Sequence, residues 1–89
     1  MRKAAAYEAL ARELERWRLL PTQELAAKVG KPASVLSINI DGEEIAVEVT
    51  AHWNREEGGA IRVTGIANGP SHWRLERLQE SIVVPSVSI

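Results

Sequence analysis

Side chains able to do chemistry are sparse in this chain, and their spacing decides what they can do. The imidazoles are His52 and His72, each followed directly by a tryptophan, Trp53 and Trp73. Two histidines joined by a carboxylate such as Glu48 or Glu76 would make a nitrogen and oxygen set for a divalent metal. The geometry opposes it. On an extended strand Glu48 and His52 share a face but stand roughly 13 Å apart, too far to ligate one ion without a second strand's help. Solvated histidines on a sheet face are the plainer reading, and no metal site is expected. Cysteine is absent, which excludes disulfides and thiolate ligands.

Nucleophilic catalysis finds as little support. The serines are Ser34, Ser37, Ser71, Ser81, Ser86 and Ser88, and none lies in a Gly-x-Ser-x-Gly elbow. Asp41 is the sole aspartate and stands before Gly42 in a hairpin signal. The pairs Glu43-Glu44 and Glu56-Glu57 fall in or beside turns, whereas working carboxylates need burial to shift their titration. No phosphate loop or dinucleotide fingerprint occurs. Gly58-Gly59 leads from strand to strand, so no helix N-terminus would meet a phosphate there. No catalytic residue and no cofactor is assigned.

A binding set remains: Trp53, Trp73, His52, His72, Arg62 and Arg74. Arginines beside aromatics can form a stacking platform for nucleic acid. Here Glu43, Glu44, Glu48, Glu56, Glu57, Glu76 and Glu80 share the same half of the chain and offset the charge. The formal net charge of -1 removes the basic footprint of a nucleic-acid binder, so nucleic acid is not the expected partner. Trp17, Trp53 and Trp73 are the chain's tryptophans, with one Tyr and no Phe. Trp17 reads as core. For Trp53 and Trp73 a core role stands beside that of an aromatic interface anchor.

The elements that must position these residues begin with two helices. Tyr7, Leu10, Ala11, Leu14 and Trp17 recur at three- and four-residue steps, which predicts a helix over 4–19. Leu20-Pro21 breaks it and starts a second, over 21–29, closed by Gly30 and Pro32. The period then changes to two. Leu36, Ile38 and Ile40 alternate with polar residues over 35–40, Asp41-Gly42 turns the chain, and Ile45, Val47, Val49, Ala51 and Trp53 alternate over 43–53. With a two-residue loop Ile38 faces Ile45 and Leu36 faces Val47. All four share one side, as cross-strand packing requires. A third strand is expected over 60–67 and a last one over 82–84; between them 71–80 suits a strand over 72–77, the favoured reading, or a short helix capped by Ser71.

The pattern resembles a group of small bacterial proteins of unassigned function. The likeness rests on Leu20-Pro21-Thr22-Gln23-Glu24-Leu25, Gly30-Lys31-Pro32, Trp53, Gly58-Gly59, Trp73-Arg74 and Ile82-Val83-Val84-Pro85. The tail departs from the group in lacking an acidic residue before Ile82. The resemblance implies a strand at 72–77 and carries over no catalytic or binding residue.

These readings converge on an α+β fold in a single domain. Two N-terminal helices pack on one face of a three- to five-stranded antiparallel meander sheet. No stretch is long and apolar enough to span a bilayer, and charged residues interrupt the apolar start, so a cytoplasmic protein without a leader is expected. The expected function is a non-enzymatic protein-interaction or regulatory module, its partner another protein or a second copy. The alternative is a small-ligand binder or small enzyme with a site at the sheet edge, using His52, His72, Arg62 and Arg74, with Glu48.

Overall fold

A computed structural model describes residues 3–69 and 77–85. Helix α1 spans Lys3–Arg18 and helix α2 Thr22–Ala27. Four strands follow: β1 Ser34–Ile40, β2 Glu43–Trp53, β3 Ile61–Asn68 and β4 Arg77–Val84. They form one antiparallel sheet in the order β1-β2-β3-β4. The expected α+β meander is therefore the observed architecture.

The hairpin has the register expected from the side-chain pattern, with Leu36 opposite Val47, Ile38 opposite Ile45 and Ile40 opposite Glu43. Its turn takes positive φ at both central residues, Asp41 at 52° and Gly42 at 83°. That is the type I′ geometry, whose twist matches the flanking strands. The Asn39 side-chain oxygen accepts the Gly42 amide at 3.0 Å.

Several boundaries differ from expectation. The second helix is six residues rather than the span 21–29. Pro21 stays extended, with ψ at 144°, and caps the helix through its carbonyl, which accepts the Leu25 amide at 3.0 Å. At the other end Val29 leaves the helix to form a parallel bridge with Ala51, and the Gly30 amide donates to the Ala51 carbonyl. The strand expected over 72–77 falls, save for Arg77, outside the described residues. Arg77 instead opens β4, which runs unbroken into the segment 82–84 expected to stand alone. Its polar middle is tolerated because Glu80 accepts the Tyr7 hydroxyl at 3.0 Å and Ser81 shares a hydrogen bond with Thr64 at 3.1 Å.

The core lies between α1 and one sheet face. Ala6, Leu10, Leu14 and Trp17 meet Ile45, Val47, Val49, Ala51, Ile61, Val63 and Ala67, with Leu25 closing one end. The buried stripe of α1 is rotated from the expected one: Tyr7 is 49% exposed and Ala11 is exposed, while Ala6 and Glu13 turn inward. Gly65 sets this orientation. A Cβ there would lie 2.6 Å from Leu10 Cδ1 and 3.2 Å from Leu14 Cδ2, so only glycine lets the helix seat this closely on β3. As a result α1 rests on β3 and β4 and touches β2 lightly.

Candidate functional site

Of the six residues singled out from sequence, three lie among the described residues. His52 and Trp53 are neighbours on β2 and so point to opposite sheet faces. His52 is exposed on the face away from the helices, directly across from Arg62. Arg62 is also exposed and donates from Nε to Asn54 Oδ1 at 3.2 Å. Trp53 is half-buried on the helix side, opposite Ile61, and packs against the core. It is a rim residue there rather than a projecting anchor. His72, Trp73 and Arg74 lie outside the described residues. The fold thus brings His52 to Arg62 and separates both from Trp53. Among the described residues no group of three histidine, cysteine, aspartate or glutamate side chains is placed to hold a metal.

One concave surface lies at the end of the helix layer nearest β1, and another, of about 370 Å³, lies between α1 and β4 beside Tyr7 and Glu80. A groove of about 440 Å³ is lined by Trp17, Glu24, Lys28, Lys31, Ser34 and Val49, among others. A smaller hollow of about 140 Å³ adjoins it and shares Trp17, Glu24, Lys28 and Ser34. Lys28 Nζ stands 5.0 Å from the centre of the Trp17 ring, within cation–π range. The ring is also fixed at its edge. Trp17 Nε1 donates to Glu13 Oε1 at 3.2 Å, and Arg16 holds the same carboxylate through Nε and Nη2. This explains a charged residue that is only 8% exposed: Glu13 satisfies the indole N–H and is neutralised by Arg16. The carboxylate in turn raises the titration of Arg16, first by hydrogen bonding and then by charge.

The groove opens onto the edge of β1, since Ser34 begins that strand and lines both hollows. β1 reads Ser-Val-Leu-Ser-Ile-Asn-Ile, without a charge, proline or glycine. Residues 34–37 are all exposed, Val35 at 62% and Leu36 at 43%. Leu36 is on the same sheet side as the core, yet it stays exposed and is not part of the packed cluster. Because Ile40 and Glu43 flank a two-residue loop, they exchange hydrogen bonds, and the ladder alternates from there. Leu36 and Ile38 direct their backbone groups to β2, whereas Val35, Ser37 and Asn39 direct theirs to the open side. The Gly30 amide bonding Ala51, an odd-numbered β2 residue on the β1 side, fits this parity.

The sequence reading missed Lys28, Lys31, Trp17 as a groove wall, and Glu13. Glu13, Arg16 and Trp17 carry a signal at helical spacings of three and four. Lys28 reaches Trp17 only through the turn between the helices. No family model matches the chain, and no curated protein or solved structure matches it either. Among the described residues no helix is long and apolar enough to cross a membrane.

Proposed function

We propose that this protein is a non-enzymatic interaction module that works by strand addition, with the open edge of β1 as its contact. The observation that supports this is the seven-residue edge Ser34–Ile40, uncharged and outside the helix layer. Exposed edge strands are templates for further pairing, and soluble proteins usually blunt them with charge, proline or a covering element. An added strand would take its main-chain hydrogen bonds from Val35, Ser37 and Asn39, and the Trp17–Lys28 groove would receive whatever lies beyond Ser34. The absence of cysteine suits a reducing, cytoplasmic setting.

The test compares two tagged baits in native lysate, the wild type and an edge-blocked form carrying Val35→Lys and Ser37→Pro. Proline at position 37 removes an outward N–H and leaves the β2 ladder intact. The expected result is a polypeptide, foreign or an untagged copy, that is held by the wild type and lost by the blocked form. In the purified complex it protects the Val35, Ser37 and Asn39 amides from exchange. Equal retention by both baits, no retained polypeptide, or a footprint at His52 and Arg62 would overturn the reading.

The small-ligand reading keeps one observation in its favour, a groove of about 440 Å³ with an aromatic wall and two ammonium groups. That volume lies within the range of small-molecule sites. A fluorescence titration with small carboxylates and sugars, in a form carrying Trp53→Phe and Trp73→Phe so that Trp17 reports alone, with Lys28→Ala as control, would reveal such a ligand.

A further inference from the structure

The β1 edge itself carries the information that identifies the strand it accepts. Resting on the strand-addition reading above, we infer that the occupant is β1 of a second copy, paired antiparallel about a two-fold axis at Ser37, so that two sheets join into one of eight strands.

Self-complementarity is the first argument. A two-fold axis normal to the sheet reverses the strand and keeps its faces, so a β1–β1 pair places both helix layers on the same side. Centred on Ser37, all seven residues overlap: Ser34 lies opposite the second Ile40, Val35 opposite Asn39, Leu36 opposite Ile38, and Ser37 opposite itself. The outward residues Val35, Ser37 and Asn39 then meet outward residues only, which gives three mutually bonded pairs and satisfies every open backbone group of the strand centre. Leu36 and Ile38 lie on the helix side, where α1 leaves them partly exposed, and there they meet the second Ile38 and Leu36. A strand without charge is suited to a partner without charge.

Charge at the strand ends supplies the second argument. Lys28 and Lys31 precede β1, and Asp41, Glu43 and Glu44 follow it around the turn. Antiparallel pairing sets the lysine end of each copy beside the acidic turn of the other, twice by symmetry. A parallel pairing would set lysines against lysines and carboxylates against carboxylates. The antiparallel pair therefore gains at both ends where the parallel pair is repelled.

The register can be read by cross-linking, because the chain has no cysteine of its own. Paired strand residues have Cα atoms about 5.5 Å apart, within disulfide reach. Mild oxidation of Ser37→Cys is expected to give a covalent dimer. Val35→Cys and Asn39→Cys are each expected to give little alone and a covalent dimer when mixed. Light scattering from micromolar to near-millimolar protein is expected to show a mass rising from 9.8 kDa toward twice that value. Val35→Lys alone, and Val35→Lys with Ser37→Pro, should hold it at the monomer with circular dichroism unchanged. A mixture of Lys31→Glu with Glu44→Lys should associate more strongly than Lys31→Glu with itself.

A mass that stays at the monomer throughout overturns the inference while leaving the lysate test of strand addition to stand or fall on its own result. A dimer that persists in Val35→Lys and fails to cross-link through position 37 also overturns it, and places the contact on another surface.

Discussion

β1 and β4 each hydrogen-bond to one neighbour, and the two edges are finished differently. β4 carries Arg77 and Glu80, is followed by Pro85, and lies under α1, to which Tyr7 ties it through Glu80. β1 carries no charge and has no fully buried residue, although Ile38 and Ile40 pack against the margin of the core. The asymmetry has a local cause. Gly65 on β3 admits Leu10 and Leu14 at distances that any larger residue would force their side chains to give up, and α1 lies over β3 and β4. A sheet of four strands is wider than one helix, so seating the helix at one side leaves the other side uncovered.

The largest test of this contrast uses the same residue type on the same sheet side. Leu10→Ala empties the covered region and is expected to cost about 2–5 kcal/mol in urea unfolding. Leu36→Ala, on the uncovered strand, is expected to cost below about 1 kcal/mol in monomeric protein. Equal losses would mean that β1 is as well packed as β3, and the comparison would collapse.

A smaller effect is expected where α1 meets β3. Gly65→Ala forces a methyl against Leu10 and should destabilise by about 1–3 kcal/mol, with Gly65→Val costing more. Stability unchanged by Gly65→Ala would show that α1 is free to sit elsewhere.

Edge substitutions separate folding from association. Val35→Lys and Gln79→Lys both place a charge on an exposed position and should change stability by no more than about 0.5 kcal/mol. The first should abolish association and the second should leave it unaltered, as light scattering would show.

The smallest effect concerns the tie on β4. The Tyr7 hydroxyl donates to the Glu80 carboxylate, whose charge also opposes the phenolate, so Tyr7 titrates above its usual 10.0. A raised phenol favours the folded state below about pH 10. That contribution is lost as pH rises through the folded-state value. Tyr7 is the chain's sole tyrosine, so ultraviolet difference absorbance reads it alone. Glu80→Gln should bring the titration down toward 10.0, and an unmoved titration would show that the contact to β4 is absent in solution.

Much of this fold was legible in the residues. The hairpin was, because Asp41-Gly42 fixes a loop length and only one register puts Leu36, Ile38, Ile45 and Val47 on one side. The stripe of α1 was legible in period and wrong in phase. Ala6 and Glu13 face inward where Tyr7 and Ala11 were expected, because a helix with alanine on several sides leaves its rotation to the surface that receives it. Gly65 was visible as a member of the β3 alternation with Ile61 and Val63. Its meaning as a close helix contact depends on which residues of α1 arrive there.

The candidate site was less legible. The opposite facing of His52 and Trp53 was legible from strand alternation, but the groove beside Trp17 was not. The β1 edge was readable as a strand, but its exposure follows from sheet order and helix position, which local pattern does not encode. Lys28 reaching Trp17 likewise depends on the turn at Leu19–Pro21.

The central claim is that β1 presents an open backbone edge which a second strand closes. Residue-resolved amide exchange along β1 tests it most directly, in dilute and in concentrated protein. In dilute protein Leu36 and Ile38 should be protected while Val35, Ser37 and Asn39 exchange freely. At high concentration the latter three should become protected together. Protection of all five amides in dilute monomer, or no change in the three on concentration, would contradict the account.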